Sequence, residues 1–182
     1  MTTPQVSNGT TTIESSIHSV VGKIAYAMEH HLSTGDLAQL RRISPENPYT
    51  PALWKVLLTY VPESWTKGTK QDEKELRWSS LLMGMAMTAG LHDPNTPLGR
   101  ALVQAGWSEL RFVRLMQARG DSLAKEVRRL ATFLASKSQP ADWSDIAQLL
   151  LNQEGEWADR HRRRIARNYY HTLYQQGKDA SN

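Results

Sequence analysis

Cysteine is absent from all 182 positions of the chain. This absence excludes disulfide bonds, cysteine-ligated zinc and thiol catalysis. Long apolar runs are absent too: no stretch approaches the roughly 18 residues that a membrane-spanning helix requires, and the start of the chain carries no visible secretory signal. The sequence therefore favours a cytoplasmic protein that does not bind membranes.

Sequence motifs for catalysis are also missing. The segment GMAMTAG (84–90) is apolar and lacks the Lys-Ser/Thr pair of a phosphate-binding loop, and the six histidines include no zinc-binding pair at i and i+4. Asp159 and His161 are close in sequence, but side chains two positions apart on a helix diverge. We expect no enzymatic activity, no metal and no cofactor. The alternative is a metal-dependent nuclease that uses Asp159 and His161.

Helical periodicity is present throughout, and no segment has the alternating pattern of a convincing strand. The sequence predicts an all-α bundle of about eight to nine helices in two small lobes, without a sheet. The predicted N-terminal lobe spans 13–93, and the basic C-terminal lobe spans 94–177. A disordered tail is expected at 1–12 and a second tail at 178–182.

The stretch 108–137 predicts two helices that separate at Gly120-Asp121, with the glycine ending the first helix and Asp121 capping the second. In the second helix, four apolar residues at i, i+4, i+7 and i+11 form one face: Leu123, Val127, Leu130 and Leu134. Lys125, Arg128 and Arg129 fall on the opposite face. The pair of helices therefore presents arginines on a rigid apolar base.

Charge is distributed unevenly along the chain. Residues 1–99 carry eight Lys+Arg and nine Asp+Glu, a balance of −1, whereas residues 100–182 carry fourteen and nine, a balance of +5. Eleven of those fourteen basic residues are arginine, whose planar group suits phosphate oxygens. We expect contacts to a nucleic-acid backbone without base reading. The alternative is a solvated basic surface whose arginines pair with nearby acids.

The short segment GDLAQLRRIS (35–44) predicts a helix capped by Asp36. Arg41 and Arg42 lie at its C-terminal end, where the helix dipole favours positive charge. That position explains the pair without any ligand, so phosphate binding there needs independent support.

The last predicted helix, 156–176, contains the densest run of charge, DRHRRRIAR (159–167). At 3.6 residues per turn, one arc of this helix is basic. Its members are Arg160, Arg163, Arg164, Arg167 and His171. Arg162 instead projects among apolar residues, so it must reach solvent along its stem, find an acidic partner, or mark an error in the projection.

Three blocks carry a resemblance to a known family: GDLAQLRRIS (35–44), LGRALVQAGWSELRFVRLMQARGDSLAKEVRRLATFLA (98–135), and DWSDIAQLLLN followed by the basic helix (142–167). Together they resemble the small subunit of the type I-E CRISPR Cascade complex, the CasB family. No block is a catalytic signature, and their order in a chain of this length carries the resemblance.

The resemblance implies an all-helical, two-lobed, non-catalytic subunit that stabilises the R-loop. The implied partners are other Cascade subunits, guide RNA, the target and displaced DNA strands, and a second copy of the chain. DNA degradation would belong to a separate nuclease-helicase. A purely structural subunit that contacts only protein or guide RNA is the alternative. The candidate nucleic-acid-binding residues are Arg41, Arg42, Arg100, Arg111, Arg114, Arg119, Arg128, Arg129, Arg163, Arg164 and Arg167.

Overall fold

A computed structural model describes residues 16–179, and within this range the chain is helical with no β-strand. The helices are α1 (Ile17–His30), α2 (Thr34–Arg41), α3 (Pro51–Tyr60), α4 (Glu63–Thr66), α5 (Gln71–Met87), α6 (Leu98–Ala105), α7 (Glu109–Gln117), α8 (Gly120–Lys137), α9 (Trp143–Leu151) and α10 (Gly155–Asp179). The all-α prediction is confirmed. None of these helices is long and apolar enough to cross a bilayer. The predicted tail 1–12 lies outside the described residues.

The buried core draws on nine of these helices, all except α4. α5 lies at its centre and packs against α8, α2 and α9. α5 is buried continuously from Leu81 to Ala86, where its sequence is largely apolar. Gly84 allows this packing, because a Cβ atom there would lie 2.6 Å from Trp143 of α9. The core therefore includes side chains from both 13–93 and 94–177, and the division into two lobes stays a prediction.

A second close approach joins α6 to α10. A Cβ atom at Gly99 would lie 2.4 Å from the Ile165 carbonyl oxygen and 2.6 Å from the Tyr169 nitrogen. Only glycine lets the two backbones come this near, and the contact fixes the rotation of α10. Ile165 and Tyr169 are buried as a result, and the basic arc of α10 faces away from the core.

Several helix starts follow the local sequence. Thr50 caps α3 ahead of Pro51, and the Asp142 carboxylate accepts from the Ser144 N–H at 2.8 Å at the start of α9. α6 is followed by Gly106 in the left-handed region at φ 81°, as its position predicts.

Two predicted caps and one predicted helix end are wrong. α7 ends at Gln117 rather than at Gly120, which is instead the first residue of α8. Ser33 rather than Asp36 is the N-cap of α2: the Ser33 hydroxyl accepts from the Asp36 N–H at 3.0 Å, and Asp36 accepts in return from the Ser33 N–H at 3.1 Å. Asp121 is not the cap of α8, since the helix starts one residue earlier at Gly120. The Gly120 N–H is satisfied by the distant Gln153 side chain at 2.6 Å, a contact that local sequence does not reveal.

Candidate nucleic-acid interface

The eleven candidate arginines lie at the surface of the folded chain. Ten are exposed, and Arg128 is half-buried. They divide into two groups according to what their guanidinium groups contact within residues 16–178, where side chains are described. The partnered arginines, which form hydrogen bonds or ion pairs, are Arg41, Arg119, Arg128, Arg129 and Arg164. The unpartnered arginines, which form neither, are Arg42, Arg100, Arg111, Arg114, Arg163 and Arg167.

Two partnered arginines form hydrogen bonds between parts of the chain that are far apart in sequence. Arg41 Nε donates to the Ala86 carbonyl at 2.8 Å, and Arg128 Nη2 donates to the Ile43 carbonyl. The second bond places the middle of α8 against the residue that follows Arg41-Arg42. Arg128 is therefore bonded to the residue that directly follows the unpartnered Arg42 in the chain.

The other partnered arginines bind nearby groups. Arg129 pairs with the buried carboxylate of Glu126 at 2.5 Å, three positions earlier on α8. Arg119 Nη1 donates to the Met116 and Ala118 carbonyls at 3.0 and 2.9 Å, at the end of α7. A guanidinium has five N–H donors, so each of these exposed groups keeps donors for a ligand.

Arg164 belongs to a network that joins α6, α9 and α10. The Asp145 carboxylate accepts from Arg164 Nη2 and from the Leu98 N–H, both at 2.9 Å. His161 Nε2 donates to the Asp145 carbonyl at 2.9 Å, and His161 Nδ1 accepts from Arg164 Nη2 at 3.0 Å. Burial is the main cause that lowers the pKa of His161, and this arrangement of bonds requires the neutral ring.

The nuclease alternative finds no support in this geometry. Both ring nitrogens of His161 are occupied by Asp145 and Arg164, and the imidazole is buried, whereas Asp159 is exposed. The described part of the chain also brings together no group of three or more His, Asp or Glu side chains that fits a metal ion.

Arg162 lies inside the fold, as its projection among apolar residues predicts. It is only 7% exposed, and its Nη1 donates to the Gln153 carbonyl at 3.3 Å. Its Nε and Nη2 are buried without a hydrogen-bond partner in the described structure. Burial, followed by the positive charge of Arg119, lowers the pKa of Arg162. The projection is therefore correct, and Arg162 neither reaches solvent nor forms an ion pair with an acid within the described residues.

Two cations converge on the aromatic ring of Phe133. The Arg111 guanidinium lies 5.4 Å from the Trp107 ring centroid and 5.9 Å from that of Phe133, while Lys137 Nζ lies 5.9 Å from Phe133. A cation within about 6 Å of a ring centroid is attracted by the ring quadrupole, so these contacts favour the observed positions of both cations. This site joins α7 to the end of α8.

Residues 36–170 match the protein family described as CRISPR-associated protein Cse2 (CRISPR_cse2). The match spans well over half of the 182 residues. The chain belongs to the Cse2 family. The family predicted from the three sequence blocks is thus confirmed, and all eleven candidate arginines lie inside the matched range.

Solved structures share this fold. A chain in the crystal structure of E. coli Cascade bound to a PAM-containing dsDNA target aligns over 85% of this chain and 96% of its own length, with 21% identity and a TM-score of 0.64. CasB from Thermobifida fusca aligns over 84% and 94%, with 20% identity and a TM-score of 0.59. CasB from M. ruber aligns over 91% and 98%, with 19% identity and a TM-score of 0.63. No curated protein matches the chain.

In this Cse2-family chain, sequence reasoning missed Lys137 as a candidate. Lys137 follows Phe133 at i+4, a spacing that puts both side chains on one helix face, and this signal was available. The position of Arg111 over the same ring was not available, because it depends on how α7 packs against α8.

Proposed function

We propose that this chain is a non-catalytic subunit of a CRISPR Cascade complex that stabilises the R-loop through sequence-independent contacts to the target and displaced DNA strands. The observation that carries the proposal is the set of six unpartnered arginines on a Cse2-family fold. Exposed guanidinium groups without acidic partners lower the free energy of binding to phosphates, chiefly by releasing counterions.

The physical need for such a subunit follows from R-loop energetics. The guide RNA reads the sequence by base pairing, and the heteroduplex that forms is about as stable as the DNA duplex that it replaces. A few contacts between the protein and the DNA phosphate backbone are therefore enough to shift the equilibrium from the DNA duplex toward the R-loop. Phosphate contacts are sufficient for this task, because they position strands without reading bases.

The two groups of arginines take different roles in the proposal. The unpartnered arginines provide most of the phosphate contacts, and Lys137 adds one beside Arg111. The partnered arginines hold α2, α5, α8, α9 and α10 in place and contribute through their remaining donors. Other Cascade subunits, guide RNA and a second copy of the chain are the proposed protein and RNA partners.

A second role, in assembly, is favoured by the outer face of α3. Leu58 is 83% exposed, and Trp54 is exposed one turn before it, with Tyr49 stacked on Trp54 at a ring-centroid distance of 5.7 Å. The described residues leave this apolar face uncovered, which is typical of a protein-contact surface. Replacing Leu58 with Ser and measuring incorporation into the complex tests this role separately.

The test of the main proposal is reconstitution of the guide-RNA complex with and without the chain, followed by target-DNA binding over a range of salt concentrations. The double variant Arg100→Gln/Arg114→Gln should join the complex and keep the fold, yet bind target DNA more weakly and with a reduced salt dependence. The matched control is Lys67→Gln/Lys70→Gln, which removes two exposed charges that already pair with Glu63 and Glu73.

Equal DNA retention by the wild type and the arginine variant at every salt concentration would contradict backbone binding at these two positions. If the complex retains DNA equally well with and without the chain, the proposed function itself is wrong. Failure of the wild-type chain to join the complex would also count against it.

A further inference from the structure

The exposed arc of α10 carries an aromatic side chain on each side of its arginines. At 3.6 residues per turn, ten exposed residues of α10 fall within about a third of its circumference. Seven of them are Trp157, Arg160, Arg163, Arg164, Arg167, His171 and Tyr174, and the other three are Glu156, Gln175 and Lys178. Trp157 precedes every arginine of the helix, and Tyr174 follows them all. The two aromatics are seventeen positions apart, which corresponds to about 26 Å along the axis.

Both end residues are unusually exposed for large aromatic side chains. Trp157 is 56% exposed and Tyr174 is 65% exposed, whereas Trp78, Trp107 and Trp143 are buried. An exposed indole or phenol ring loses the favourable free energy of burial, so neither position is explained by the folding of the monomer.

The Tyr174 ring packs against a neighbouring aromatic ring of α10. Its centroid lies 6.0 Å from that of Tyr170, and the Tyr170 ring meets Phe112 edge-on at 5.9 Å. The Tyr170 hydroxyl donates to Glu109 Oε1 at 2.9 Å, which ties this aromatic column to α7. Tyr174 is therefore the solvent-facing end of a series of rings that begins in the core with Tyr169, stacked on Phe112 at 3.9 Å.

Charge between the aromatics indicates an anionic ligand. Arg163 and Arg167 are exposed, have no polar partner within the described residues, and lie one turn apart, about 6 Å along the axis. Arg160 is paired with Glu156 at 2.8 Å, and Arg164 is shared with Asp145.

The acids that border the arc do not cancel this charge. Asp159 lies at one edge of the arc, and Glu109 of α7 accepts from Tyr170. With Glu156 and Asp145 each facing an arginine of the arc, the two unpartnered arginines leave a net positive surface.

We propose that the exposed arc of α10 binds single-stranded nucleic acid by a combination of phosphate pairing at Arg163 and Arg167 and base stacking on Trp157 and Tyr174. Single strands present the π-faces of their bases, whereas a duplex holds them inside its stack, so aromatic platforms add affinity for single strands alone. This inference rests on the proposed function and extends it from backbone contact to base stacking, and so to discrimination between single strands and duplexes.

The experiment uses the full chain and three fluorescently labelled probes of equal length: oligo(dT), an oligomer with the same phosphates but no bases, and a duplex. Binding is measured by anisotropy over a range of salt concentrations. The variants are Trp157→Leu and Tyr174→Leu, which keep apolar bulk, and Arg163→Gln/Arg167→Gln. Tyr26→Leu on α1 is the matched control, because it also replaces an exposed aromatic side chain by leucine, on a different helix. Circular dichroism and urea unfolding confirm the fold of each variant.

We expect each aromatic variant to weaken oligo(dT) binding by about 5- to 150-fold, the range for removal of one stacking side chain, with an unchanged salt slope. The same variants should leave binding of the base-free oligomer unchanged. The arginine variant should weaken both probes and lower the salt slope by about 0.7 for each phosphate contact that is lost. Tyr26→Leu should behave as the wild type.

Wild-type affinity for oligo(dT) in both aromatic variants would overturn the stacking inference while leaving the proposed backbone contacts intact. Equal wild-type affinity for oligo(dT) and the base-free oligomer would do the same. Loss of complex assembly by the aromatic variants, with unchanged oligo(dT) binding, would assign the arc to a protein neighbour. If the wild type binds none of the probes, alone or in the complex, the proposed function fails as well.

Discussion

Arg42 and Arg128 provide a direct test of the division between partnered and unpartnered arginines. They are linked through the backbone, because Arg128 donates to the carbonyl of Ile43, the residue after Arg42. Replacement by glutamine removes one charge in each case. The glutamine side chain at 128 is too short to reach Ile43, whereas Arg42 has no side-chain bond to lose within the described residues.

The two variants should differ in stability. A hydrogen bond from a charged donor contributes about 1.5–3 kcal/mol, and Arg128 is only half-buried, so Arg128→Gln should lower the free energy of unfolding by about 1–2 kcal/mol. Arg42→Gln should change it by less than about 0.5 kcal/mol, as is usual for a surface substitution without lost contacts. Urea unfolding measures both, since a shift of midpoint at constant slope reports stability.

DNA retention should change in the opposite order. One phosphate contact contributes a salt slope of about 0.9, which corresponds to roughly 8-fold in affinity near 0.1 M salt. Arg42→Gln should lose about this factor in the reconstituted complex, and Arg128→Gln should lose less once both proteins are folded. If the two variants lose equal stability, or if Arg128→Gln unfolds at the wild-type urea midpoint but loses more DNA binding, the division is wrong.

Three further predictions concern the scaffold beneath the interface. Asp145→Ala leaves the buried Leu98 N–H without its acceptor and should lower the free energy of unfolding, measured in urea, by about 2–4 kcal/mol. Glu156→Ala removes only an exposed ion pair and should lower it by less than about 0.5 kcal/mol. Equal losses in the two variants would contradict the network. Gly99→Ala forces α6 away from α10 and should cost about 1–3 kcal/mol; a wild-type melting temperature would show that the close approach is not required. Burial lowers the pKa of His161 and of His92 below 6.5, so below that pH the unfolded chain binds protons that the folded chain does not. Stability should therefore be full above about pH 6.5 and fall toward about pH 5.5, and His161→Gln should reduce this fall; a flat pH profile between those values would refute the assignment.

Local sequence was sufficient for most of the fold. Helical periodicity predicted the all-α class. Thr50-Pro51, Gly106 and Asp142 start or end helices in agreement with the capping preferences of these residue types, because caps act over three or four residues. Asp36 and Asp121 were misassigned as caps. For Asp36 a serine three positions earlier forms the cap, and for Asp121 the competing contact, Gln153 with Gly120, is 33 positions away.

The sequence by itself determined the family and the side of each helix that faces solvent. The period of 3.6 residues places polar and apolar faces regardless of the neighbours, so ten of the eleven candidate arginines are exposed, and Arg162 is buried as projected. Only the tertiary structure decided which arginines are available. The carbonyls that engage Arg41 and Arg128 lie 45 and 85 positions away, and the carboxylate that engages Arg164 lies 19 positions away on another helix. Such partners are chosen by the packing of whole helices, which no local pattern records.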